Sequence, residues 1–96
     1  MAAKKFGSYV SVANTDATLF TVGTGKAAVF NINVCNTTSS SCTVRISIGG
    51  DQLEYETTIG ALSVLERTAL VAQSAEVISV RASVNGVVFR AYGMEE

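Results

Sequence analysis

The chain has no histidine, no proline and no tryptophan. Without histidine it lacks the commonest general base and the commonest metal ligand together. Charge is scarce as well: 16% of residues are charged, and the net charge is -1. A nucleic-acid-binding surface would show a basic stripe, and the one basic cluster is Lys4-Lys5. No apolar run approaches the roughly 18 residues of a membrane-spanning helix. After Lys4-Lys5 comes Phe6-Gly7-Ser8-Tyr9 rather than the apolar core of a secretory signal, so synthesis in a cytoplasm is expected. What is present is apolar: 48% of the 96 residues are hydrophobic, so this is a folded chain with one core and one domain. With so few charges, Ser, Thr, Asn or neighbouring subunits must cover the surface.

The clearest local signal lies at Glu76 to Gly93. Two alternating runs flank Asn85-Gly86, and Asn-Gly between such runs predicts a type I′ hairpin. In that register Val84 faces Val87, Ala82 faces Phe89 and Val80 faces Ala91, with Ile78 extending the apolar face. On the other face, Arg81 falls opposite Arg90. Like charges so placed destabilise a sheet. Either both guanidinium groups lie in water, or a neighbouring strand or subunit supplies a carboxylate, with Glu54, Glu56 and Glu66 as candidates.

From the N-terminus, residues 1–7 read as an arm. Ser8 to Ala13 and Thr18 to Val22 alternate as strands, and Gly23-Thr24-Gly25 breaks the second. Lys26 to Asn36 places Ala28, Phe30, Ile32 and Val34 on one face. Cys42 to Ile48 places Val44, Ile46 and Ile48 inside. These two strands are expected to pair as Phe30–Ile48, Ile32–Ile46 and Val34–Val44. Gln52 to Thr58 sets Leu53, Tyr55 and Thr57 against Gln52, Glu54 and Glu56. Val64 to Val71 shows adjacent apolar residues that a bulge would reconcile. A short helix over residues 61–69 is the alternative there, but Val64 and Thr68 favour a strand. About eight short strands at spacings of roughly ten residues predict an all-β antiparallel β-sandwich of jelly-roll type. Residues 8–96 form its single domain.

Catalytic and ligand motifs are sparse. Cys35 shares a face with Asn31 and Asn33, whereas Cys42 has the inward parity of Val44, so free thiols are expected. Gly23-Thr24-Gly25-Lys26 misses the phosphate-loop pattern, since Phe20 and Ala27 stand at its required positions. Asn36-Thr37-Thr38 is a glycosylation sequon that reads as a polar loop. Glu54 and Glu56, with Asp51 nearby, could serve acid–base chemistry or hold Ca²⁺. A solvated edge or partner-facing surface suits them better, and Glu66-Arg67 reads the same way. No nucleophile–base–orienter set can be assembled, so neither an enzyme nor a cofactor or metal site is expected.

The stretches LEYETTIGALSVLERTALV, ISVRAS and VFRAYGMEE, with ATLFTVGTGKAAVFNINVCN and TVRISI before them, resemble small all-β structural proteins of tailed bacteriophages. The resemblance covers about residues 17–96. It departs at Gly23-Thr24-Gly25, where such proteins often carry proline. It implies a non-enzymatic virion component, made in the bacterial host cytoplasm and present in many copies. A capsid decoration (cement) role is favoured, with a tail, neck or baseplate position as the alternative. The implied partners are its own copies, often as trimers, and the phage major capsid protein or tail proteins. Lys4, Lys5, Phe6, Glu54, Glu56, Glu66, Arg67, Arg81 and Arg90 are the interface candidates. A carbohydrate-binding module is a further alternative, with Tyr9, Tyr55 and Tyr92 as the tyrosines available to it.

Overall fold

Strict two-residue alternation of buried and half-exposed side chains runs through Ala28–Asn36 and Cys42–Ile48. Each strand therefore turns one stripe toward a core and one toward solvent. The computed structural model describes residues 3–96 and contains eight strands: β1 Lys4–Val10, β2 Ala17–Thr21, β3 Ala28–Asn36, β4 Cys42–Ile48, β5 Asp51–Ile59, β6 Val64–Ala72, β7 Val77–Ala82 and β8 Val87–Glu95. They form two four-stranded sheets, ordered β1-β8-β3-β6 and β2-β7-β4-β5. All pairs are antiparallel. This is the strand order of a jelly roll, and the expected all-β sandwich is the fold.

Between the sheets lie Phe30, Ile32, Val34, Val44, Ile46, Ile78, Val80, Val87 and Phe89, each 1% exposed or less. Burying one such side chain contributes about 1.5–3 kcal/mol. Phe6, Phe20 and Phe30 close one end of the core. Phe6 stacks on Phe20 at 4.7 Å, and Phe20 meets Phe30 edge-on at 5.0 Å.

Two expected pairings do not form. β3 pairs with β6 and β8, and β4 pairs with β5 and β7, so the two strands lie in opposite sheets. β7 and β8 likewise belong to opposite sheets and make no hairpin. The stripes assigned to them are nonetheless buried: Ile78, Val80 and Ala82 on β7, and Phe89 and Ala91 on β8. Those stripes meet across the core rather than side by side. At Asn85-Gly86 only Gly86 has positive φ, at 89°, so the turn is not type I′. Asn85 Oδ1 instead accepts the Ala13 amide at 2.8 Å, which ties this connection to the β1–β2 loop. The two-residue hairpin turn is Gly49-Gly50. Both residues have positive φ, 56° and 90°, and Ile48 pairs with Asp51 across them.

The arm is corrected too. Lys4 to Gly7 belong to β1, with Lys4 opposite Gly93 and Lys5 opposite Tyr92. Met1 and Ala2 lie outside the described residues. Gly7 sits where an added Cβ would collide with the Leu19 carbonyl, so β1 runs tight against β2.

Bulges resolve the ambiguous strands. In β6 the register shifts opposite Asn31, and Ala69 takes φ 56°. The Ala69 amide donates to Asn31 Oδ1 at 2.9 Å. This puts Leu65 inward, opposite Val34, and Val64 outward, opposite Cys35. In β5, two register shifts and φ 54° at Glu56 break the expected alternation. Glu54 pairs with inward-facing Ile46, so Glu54 and Glu56 do not share a face.

Candidate functional site

The outer face of β2-β7-β4-β5 gathers polar side chains. Ser47 lies opposite Ser79, and Arg45 lies opposite Arg81. Arg81 therefore does face a like charge, but the partner is Arg45 and not Arg90. Carboxylates flank the pair on both sides. On the β5 side, Arg45 Nε donates to Glu56 Oε1 at 3.1 Å, and its Nη2 reaches the same oxygen. On the β2 side, Asp16 Oδ1 accepts from Arg81 Nη1 at 3.5 Å. Hydrogen bonding to Glu56 raises the Arg45 pKa. The same bond, followed by one from the Thr43 hydroxyl, lowers that of Glu56. Arg45 also lies 4.5 Å over the ring of Tyr55. A depression of about 220 Å³ opens here, lined by Asp16, Arg45, Ser47, Gln52, Ser79 and Arg81.

Glu54 and Arg67 form an ion pair between the two sheets, from edge strands β5 and β6. Both take inward parity, opposite Ile46 and Ile32 respectively, so they close one open side of the sandwich. Thr57 Oγ1 donates to Glu54 at 2.6 Å. Both were expected as partner-facing charges, and in the folded chain they contact each other.

The outer face of β1-β8-β3-β6 is different. One row across it reads Val10, Val88, Cys35, Val64, and another reads Met94, Val29, Val71. Val10, Val29, Val64, Val71 and Met94 are among the exposed large hydrophobics. Between these rows lie polar ones. Arg90 is exposed, opposite Ser8 and Asn33, which fits the solvated reading of that residue. Glu66 is exposed and accepts from the Tyr92 hydroxyl at 3.2 Å. Lys5 is exposed opposite Tyr92. Phe6 packs into the aromatic end of the core rather than reaching outward.

Lys4 pairs with Glu95 at 3.0 Å, and Glu95 Oε2 accepts the Gly23 amide at 2.9 Å. The Gly23 amide first, then Lys4, lowers the Glu95 pKa. Cys35 and Cys42 are free thiols, and burial pushes the Cys42 thiol up. Among the described residues no group of three His, Cys, Asp or Glu is placed to hold a metal ion.

Asp16, Arg45, Gln52, Ser47 and Ser79 were not legible as site residues. The outward parity of Arg45 and Ser47 on β4 and of Ser79 on β7 was readable, but their adjacency depends on β4 pairing with β7, a contact between strands distant in sequence. Gln52 joins them from β5, opposite Ser47, and Asp16 from the segment just before β2, which pairs with β7.

No family model and no curated protein matches the chain. Among solved structures, the native structure of a family 35 carbohydrate binding module from Clostridium thermocellum is similar at a TM-score of 0.46 and 14% identity, covering 94% of this chain and 90% of that chain.

Glu95 and Glu56 give the fold an acid-sensitive component. Each carboxyl holds its proton more weakly in the folded chain, so each contributes stability above the ordinary carboxylate range. That contribution is lost as pH falls through the lowered folded-state value. Thermal melts of wild type and Glu95→Gln from neutral to acidic pH check this. The variant melts lower at neutral pH, and the gap narrows as pH falls. A gap that is constant with pH would contradict the Glu95 contribution.

Proposed function

We propose that this chain is a non-enzymatic structural component of a bacteriophage virion, acting as a capsid decoration (cement) protein. The resemblance to tailed-phage structural proteins motivates the identity. The observation that carries the physical mechanism is the outer face of β1-β8-β3-β6, where Met94, Val29 and Val71 lie side by side and are about half exposed. Rows of exposed valine on a sheet face favour burial against protein. The polar rows between them, with Arg90 and Glu66, give a contact its register. The face packs against copies of this chain, arranged as a trimer, and against the major capsid protein. A lasting contact needs about 1,000 Å² of buried surface. A tail, neck or baseplate position is the second reading and uses the same face.

Mass spectrometry of density-purified phage particles tests the assignment. Peptides of this chain at high copy number, in register with the coat protein, support decoration. Their absence from intact particles contradicts a virion role.

Light scattering on the purified protein tests the face itself. Wild type forms oligomers at high concentration. Val29→Glu, at a position 54% exposed, keeps the wild-type melting temperature but weakens assembly by about tenfold or more. A variant that assembles like wild type would show that this face is not the contact.

A further inference from the structure

Across the outer face of β2-β7-β4-β5 the charges run in sequence: Asp16, Arg81, Arg45, Glu56. Two cations stand together in the middle and two anions at the outside. β4 and β7 are the inner strands of this sheet, so Arg45 and Arg81 are held opposite one another. Directly opposed guanidinium groups repel. Their side chains are only 29% and 28% exposed, so water screens that repulsion incompletely. Glu56 takes Nε and Nη2 of Arg45, whereas Asp16 meets only Nη1 of Arg81, at 3.5 Å. Each guanidinium therefore keeps N–H donors beyond those its own carboxylate occupies. Beside the pair lie the Ser47 and Ser79 hydroxyls and the Gln52 amide, around the 220 Å³ depression.

We propose that this face docks an acidic segment of a partner protein, with one aspartate or glutamate carboxylate seated between Arg45 and Arg81. The charge order then alternates across the whole face, and the two guanidinium groups share the two carboxylate oxygens. A polypeptide also answers the rest of the surface. The Gln52 side-chain amide donates and accepts, as a backbone peptide group does, and the serine hydroxyls do the same. Tyr55, 61% exposed beside Arg45, offers its ring to an apolar side chain close to the acid. The rim sets the limit. Asp16 and Glu56 repel a run of acids or a phosphate dianion, so the segment brings a single carboxylate among uncharged neighbours. This face points away from the sheet used in the proposed assembly, so the docking stands independently of the virion reading.

Titration of the isotope-labelled full chain with a short blocked peptide, followed by amide NMR, tests the proposal. The peptide carries one glutamate and a nearby leucine. The same peptide with glutamine for glutamate, acetate and inorganic phosphate are the comparison ligands. Saturable shifts at Ser47, Gln52 and Ser79 are expected with the glutamate peptide, and about tenfold weaker binding or less with each comparison ligand. Arg81→Gln removes one of two opposed cations and an exposed ion pair worth little, so it melts no lower than wild type. It weakens peptide binding by about tenfold or more. Tyr55→Ala weakens peptide binding several-fold and leaves acetate binding unchanged. Absence of saturable shifts overturns the proposal, and so does wild-type peptide affinity in Arg81→Gln. Equal affinity for the glutamine peptide removes the carboxylate from the contact, and equal affinity for acetate or phosphate reduces the site to a bare anion contact; either result overturns the proposal.

Discussion

The constraint on which the structure depends is that the chain changes sheet at nearly every connection. Of the seven links between successive strands, only β4 to β5 stays within one sheet. A strand's apolar stripe is therefore buried against the other sheet, and hydrogen bonds come from strands remote in sequence. The connections must be held as firmly as the strands. Buried Asn36 does this at one end: its Nδ2 donates to the carbonyls of Ser40 at 2.8 Å and Gly60 at 3.1 Å, and its Oδ1 accepts from Thr38. Ser11, also buried, does it at a second place by donating to Val84 O at 2.6 Å and accepting the Val87 amide at 2.9 Å. Buried polar groups tied in this way specify which loop lies on which. They replace the hairpin turns that would otherwise set register.

The same topology sorts the few charges. Glu54 and Arg67 close the side where β5 and β6 are both edge strands. Lys4 and Glu95 fasten β1 to β8, and Glu95 reaches on to Gly23. What remains falls on two outer faces of opposite character. One carries rows of valine and methionine suited to a protein partner. The other carries paired arginines, serines and a glutamine around a depression suited to an acidic peptide.

Parity is a local property, and it was readable. Phe30, Ile32, Val34, Val44 and Ile46 were assigned inward from alternation alone, and all are fully buried. The bulge suspected in Val64 to Val71 exists, at Ala69. Pairing is not local. Asn85-Gly86 has hairpin chemistry, but a hairpin would have left the β7 stripe without the β8 stripe above it. Burial across the sandwich outweighed the turn preference. Gly49-Gly50 took the hairpin instead, since Ile48 and Asp51 can pair without exposing a stripe. The candidate site suffered most. Arg81 was expected opposite Arg90, but β7 pairs with β4 and not with β8, so the arginine it faces is Arg45. Glu56, one of the carboxylates considered for that role, does reach the pair. Glu54 was drawn inward by bulges that alternation does not reveal.

Sheet exchange between β7 and β8 is the claim on which both faces rest, because it decides which residues are neighbours. Backbone nuclear Overhauser contacts in the labelled protein test it most directly. The account predicts cross-strand contacts of Arg81 with Arg45 and of Arg90 with Asn33, as the two sheets require. Contacts joining Arg81 to Arg90 would contradict it, because they would restore the hairpin and dissolve both surfaces.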